Sequence, residues 1–232
     1  MALLPGLQNR ERVLELMDDP ALDPAEHRLA LAGLARLNRF SRALQVLWPS
    51  IRTLSQRLKR PLRILDVATG CGDVPAGLLH RAARSGYTLE VVGCDRSDTA
   101  ILSARANCPG GQFYLQDALH EPLPTGFDVV TCSLFLHHLS SEEAVTLLTR
   151  MKDATRHLVL VNDLARSRFN LLAVTVACHL LSRSRVVRFD GPASVRAAYN
   201  TREALELAQR AGMIGARVEK RFPCRFLLSW SR

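Results

Sequence analysis

The stretch Arg63–Pro75 reads RILDVATGCGDVP. Ile64, Leu65 and Val67 suit a buried strand, yet Asp66 stands among them and Gly70 and Gly72 follow at once. Glycines after a strand let the backbone approach a ligand closely. A pyrophosphate binder offers helix N–H groups to phosphate, and a carboxylate beside that turn would repel it. A carboxylate here suits a cationic ligand or an amino group.

Working outward, the same theme repeats. TLEVVGCD (88–95) reads as a strand ending in Asp95, and QFYLQDA (112–118) as a strand followed by Asp117. Asp95 has the place of a ribose-hydroxyl acceptor in nucleotide-binding sheets. Asp117 is placed to accept from an adenine amino group. One nucleoside, one amino acid and one positive sulfur would use all three acids.

The segments between are helical. VPAGLLHRAARSG closes at Gly86, and SDTAILSARANCPG starts on a Ser97 cap. SSEEAVTLLTRMKDAT starts at Ser140 or Ser141, and TREALELAQRAG starts on a Thr201 cap. FDVVTCS and RHLVLVND supply two more strands, and ARVEKRFPCRFLLSW two further ones broken at Pro223. Strands alternating with helices predict a doubly wound α/β fold with a mostly parallel sheet. The short link at Pro223 permits only antiparallel pairing of the final strands.

Ahead of this lies a helical region. Residues 8–19 read as a short charged helix. Leu29, Leu31, Leu34, Leu37, Phe40, Leu44, Leu47 and Leu54 recur at helical spacing over 24–58, and Pro49 is expected to divide that run in two. Residues 1–60 are expected to form a helical lid on a domain spanning 61–232, with a second lid-like insertion at 164–190.

The totals bound the possibilities. The 232 residues, 47% of apolar type, allow one sizeable core. No apolar run reaches the roughly 18 residues of a spanning helix, and no signal peptide is expected. The cysteines are scattered, without CxxC or zinc-like spacing, so free thiols in a reducing cytoplasm and no metal site are expected. The net charge is +9, with arginines clustered in ARSRFN and SRSRVVR. No aromatic residues interleave with them, as a single-strand nucleic-acid surface would need.

Four segments in order, ILDVATGCGDVP, VVGCDRSDTAI, FYLQDALHEPLP and FDVVTCSLFLHHL, resemble the motifs of class I S-adenosylmethionine-dependent methyltransferases. Within that superfamily the chain is similar to small-molecule methyltransferases of the quinone-biosynthesis type. Ala68 stands where many members have glycine. The resemblance implies a seven-stranded sheet with an antiparallel last strand and S-adenosylmethionine as cofactor. It implies that Asp66, Ala68, Thr69, Gly70, Cys71 and Gly72 line the amino-acid part of the cofactor. Asp95 and Arg96 would hold the ribose and Asp117 and Ala118 the adenine, with Ser133 and Leu134 near the sulfonium.

An Asn/Asp-Pro-Pro-aromatic motif, usual for methylation of base amino groups, is replaced here by CSLFLHH. Nucleic acid is therefore not the expected partner. A hydrophobic small molecule of secondary metabolism is, at a phenolic or enolic oxygen or a quinone-type ring carbon. His137 or His138, after the fourth strand, is a candidate base, and each could equally cap or pack. Asp163 is the next candidate. The apolar run Leu171–Leu181 could line a cavity, touch a membrane surface or pack in the core, and His179 within it reads as a core histidine. A catalytically silent cofactor-binding subunit is the competing class. Oligomeric state is not legible.

Overall fold

A computed structural model describes residues 7–18, 21–23, 25, 26, 29, 30 and 43–232. Leu31, Leu34, Leu37 and Phe40 lie outside the described residues. The elements from Ala43 onward are α1 (Ala43–Leu58), β1 (Leu62–Val67), α2 (Asp73–Arg84), β2 (Leu89–Asp95), α3 (Asp98–Asn107), β3 (Gln112–Leu115) and β4 (Phe127–Ser133). There follow α4 (Ser141–Ala154), β5 (Thr155–Leu164), α5 (Arg168–Leu181), α6 (Arg185–Ala197), α7 (Thr201–Arg210), β6 (Arg217–Arg221) and β7 (Arg225–Ser231).

The seven strands form one sheet in the order β3-β2-β1-β4-β5-β7-β6. β1 to β5 run parallel, and β7 is antiparallel to both β5 and β6. β1, β4 and β5 are buried on both faces, which explains their near-continuous apolar runs. Leu65, Val67, Val130, Leu147, Leu148, Leu207 and Phe226 form the core on one face. Leu47, Ile51, Leu62, Ile64, Leu78 and Leu160 form it on the other. Strand order reverses between β1 and β4, so the ligand crevice belongs at their carboxyl ends.

Local signals explain the helix starts. Ser97 caps α3, and Ser140 with Glu143 forms a capping box on α4. α7 departs from expectation: its cap is Asn200, not Thr201, because Asn200 and Glu203 close a reciprocal box. Pro49 does not divide the first run but lies inside α1. An interior proline costs about 3 kcal/mol. Val46, Leu47, Trp48, Ile51 and Leu54 are all buried on that helix, at roughly 1.5–3 kcal/mol each, so packing wins. α1 is thereby a layer of the core.

Residues 8–19 are not a helix in the described part. Residues 10–15 have no regular secondary structure and only Leu16–Asp18 make a 3-10 turn. So short a helix is marginal by itself, and Arg10 gains more elsewhere. It donates to the carbonyls of Ala197 (2.7 Å), His137 (3.0 Å) and Leu139 (2.9 Å) and lies 3.5 Å over the Tyr199 ring. Leu16 and Met17 N–H groups bind the Asp190 carboxylate, and Arg166 holds the Leu7 and Gln8 carbonyls. The segment is a strap fixed by charged hydrogen bonds. The expected insertion is a pair of helices, α5 and α6. Gly191 allows them to meet, since a Cβ there would lie 2.4 Å from Cys178 Sγ.

Candidate active site

At the crevice the chain forms a cavity of about 880 Å³. Ala68, Gly70, Asp95, Arg96, Asp117, Ala118, Leu134, His137 and His138 all line it. Arg12, Val13, Leu14 and Glu15 of the strap, with Gln116, Phe135 and Glu143, complete the wall. Of the segment 1–60, the strap borders the cavity and α1 does not.

Asp66 does not line the cavity. It is buried behind the turn, with Thr69 Oγ1 donating to one carboxylate oxygen (2.9 Å) and Thr131 Oγ1 to the other (2.6 Å). Burial pushes its pKa up to about 6, against those two hydrogen bonds and with the help of Asp95. Thr69 is the other half of this brace. Gly72 is buried against α3, where a Cβ would come within 3.0 Å of the Ala104 backbone, so its role is close helix packing. Cys71 is exposed and outside the cavity wall.

Gly70 faces open space: a Cβ there would meet no atom within 4 Å. Its N–H donates to Asp95 (2.9 Å), which also accepts from Ser97 N–H (3.0 Å). Asp95 thus ties the end of β2 to the turn after β1. Asp117 accepts from Leu119 N–H and pairs with His120, a contact that holds its pKa below the usual range. Ala68 and Leu134 have positive φ values of 53° and 56°. Left-handed backbone in a non-glycine residue stores strain, and such strain gathers at ligand sites.

The two histidines are on a 3-10 turn, Leu136–His138, and their environments diverge. His137 is buried. Its Nδ1 lies 2.7 Å from Asp163 Oδ1, and its backbone N–H donates to Asp163 Oδ2 (3.0 Å). Burial alone would lower the His137 pKa, but the charge and hydrogen bond of Asp163, with Glu15, carry it above the ordinary value. Burial would raise the Asp163 pKa, and His137 overrides it downward. His138 packs against His137, with ring centroids 4.1 Å apart and the ring planes tilted by 35°. Burial and the neighbouring imidazole take its pKa down to about 4.

Glu15, His137 and His138 present donor atoms within 4.8 Å of one another. Yet His137 has a carboxylate at each ring nitrogen, Asp163 at 2.7 Å and Glu15 at 3.9 Å. That is the setting of a proton-carrying imidazole. Glu15 also accepts from the Ser194 hydroxyl.

Ser133 Oγ and both amide atoms of Asn162 are buried without a hydrogen-bond partner. The two residues are register partners at the carboxyl ends of β4 and β5. Orphaned polar groups cost about 1–3 kcal/mol each, and neither residue lines the cavity, so Ser133, expected near the sulfonium, stands behind its wall. Arg12, Glu15 and Gln116 went unrecognised in the sequence, since nothing local marks them. His179 is exposed, not a core histidine, and its Nδ1 lies 2.8 Å from the Thr175 carbonyl oxygen.

Sheet order and the reversed β7 give the chain the fold of class I S-adenosylmethionine-dependent methyltransferases. Residues 64–157 match the methyltransferase domain family. A demethylmenaquinone methyltransferase of Thermus thermophilus is 37% identical over 99 residues, 40% of this chain and 43% of that protein. The chain therefore aligns with less than half of that relative. Among solved structures, the methyltransferase SibL has a TM-score of 0.69 at 19% identity, over 96% of this chain and 63% of that one. The plantazolicin methyltransferase BpumL, solved with S-adenosylhomocysteine, has a TM-score of 0.69 at 16% identity, over 90% of each chain. At these identities the likeness is one of fold.

Proposed function

We propose that the chain is an enzyme that binds S-adenosylmethionine and methylates a hydrophobic small molecule at a phenolic or enolic hydroxyl. The observation that carries this reading is the convergence of the Asp163–His137 pair with Gly70, Asp95 and Asp117 on one cavity. The donor set suits the cofactor. Asp95 keeps lone pairs for ribose hydroxyls, with Arg96 beside it, and Asp117 with the Ala118 backbone suits an adenine edge. Gly70 leaves room for the amino-acid part. The bound cofactor supplies a methyl carbon already activated for in-line displacement.

The chain then has to align the acceptor and take its proton. Asp163 holds the proton on His137 Nδ1 and leaves Nε2 as the accepting nitrogen, and it stabilises the imidazolium that forms. His138 stays neutral, because two imidazoles in contact do not both carry charge. The strap residues Arg12 to Glu15 close the cavity against water and serve as the lid. The name of the Thermus relative supports a quinone- or phenol-type acceptor, and favours ring-carbon methylation as the second reading. Secondary metabolism in a reducing cytoplasm is the setting this reading implies.

The test is transfer of isotopically labelled methyl from S-adenosylmethionine to a panel of phenols and quinols, with the methylated atom located by NMR. A labelled methyl on oxygen supports the proposal, and one on ring carbon the second reading. Cofactor binding without turnover on any member would point to a silent partner subunit.

A further inference from the structure

Helix α5 is apolar on the wrong side as well as the right one. Its inner face packs through Val174 and Cys178 against Val186 and Val187 of α6, and Leu171 is buried. Its outer face exposes Phe169 (70%), Leu172 (59%), Val176 (48%) and Leu180 (79%). Spacings of three, four and four residues put these on one stripe. A helix with solvent on that side normally turns polar residues to it. From Leu164 to Phe189 the chain holds no aspartate or glutamate, but it holds Arg168 and Arg183, both exposed, and an exposed Arg185 that pairs with Glu26 at 3.0 Å.

We infer that α5 docks on an anionic lipid bilayer, with the apolar stripe at the acyl boundary and the arginines on lipid phosphates. Charge decides between the occupants such a stripe admits. A two-fold contact with a second copy would bring this acid-free, arginine-bearing segment against itself. A bilayer with acidic headgroups meets both the stripe and its charge. No helix among the described residues is long and apolar enough to cross a membrane, so this is surface docking. The inference stands apart from the methyl-transfer reading, since none of these side chains lines the cavity.

Co-sedimentation of the full chain with phosphatidylcholine vesicles, with and without phosphatidylglycerol, tests it. Binding to the anionic vesicles is expected, roughly tenfold to a hundredfold weaker without the anionic lipid. Leu172→Glu with Val176→Glu should abolish it, and Arg168→Glu with Arg183→Glu should reduce it to the neutral-vesicle level. Circular dichroism and S-adenosylhomocysteine titration of each variant should match the parent. Absence of binding, equal binding to both vesicles, or unchanged binding by the variants would overturn the inference. So would a dimer in analytical ultracentrifugation that Leu172→Glu dissociates, because the stripe would then be a subunit contact.

Discussion

Asp163 grips His137 twice: Oδ1 lies 2.7 Å from the ring Nδ1, and Oδ2 accepts the backbone N–H at 3.0 Å. One carboxylate thus sets both the tautomer and the position of the imidazole. If His137 takes the acceptor proton, kcat rises with pH as the imidazole deprotonates, with a midpoint above 6.5. Asp163→Asn removes the charge that raises His137, while Glu15, Arg225 and His138 remain around it. The midpoint should then fall and kcat should drop, with cofactor affinity unchanged. The stability effect has the opposite sense in pH. A folded-state pKa raised above the unfolded value contributes stability that is complete below about 6.5. That contribution is lost as pH climbs through the folded value.

The two histidines should separate cleanly. His137→Ala should lower kcat by roughly 10²–10⁴-fold, the usual worth of a positioned base. The loss should recover at high pH, where a phenol ionises unaided. His138→Gln should leave the rate within a few-fold, since a histidine with a pKa of about 4 is a weak base. Equal losses at both positions would move the proton transfer off His137. Chelation by EDTA should change nothing; a metal-dependent rate would reassign Glu15, His137 and His138 as ligands.

Asp66 answers why a carboxylate interrupts a strand. It braces the turn through Thr69 and Thr131, at the cost of a buried charge. Its folded pKa of about 6 lies above the ordinary carboxylate value of 3.8. The stability it contributes is therefore present below about 3.8 and lost as pH rises through 6. Asp66→Asn should unfold at higher urea than the parent at pH 8, by about 1–3 kcal/mol, with the difference vanishing at pH 4. Lower stability of the variant at pH 8 would show that the brace outweighs the desolvation.

The strap should depend on Arg10. Arg10→Met leaves the Ala197 and His137 carbonyls without this donor, while Leu139 keeps the Tyr199 hydroxyl; hydrogen bonds to a charged group are worth about 1.5–3 kcal/mol. Limited proteolysis within residues 7–18 should become faster, and the acceptor KM should rise with little change in unfolding of the sheet. Unchanged cleavage would mean that Asp190 and Arg166 hold the segment by themselves.

The parallel sheet was legible because β1, β4 and β5 are short apolar runs bounded by turn residues, and Asp66, Asp95 and Asp117 stand at or just after the ends of β1, β2 and β3. The last two line the cavity and also accept from the backbone N–H groups of Gly70, Ser97 and Leu119. What failed was local inference overruled by tertiary contacts. Pro49 is carried inside α1 by core burial, and residues 10–15 are kept from a helix by the reach of Arg10. The choice between His137 and His138 was invisible because Asp163, the partner that distinguishes them, arrives from another strand.

Calorimetric titration of S-adenosylhomocysteine into the parent chain and into Asp95→Asn tests the cofactor pocket most directly. Single-site binding to the parent is expected, weakened about tenfold to a hundredfold in the variant through lost hydrogen bonds to a charged group. Asparagine still accepts from Gly70 N–H, so the turn should survive. No heat with the parent, or the same affinity in both, would contradict a cofactor held by the carboxyl ends of β1, β2 and β3.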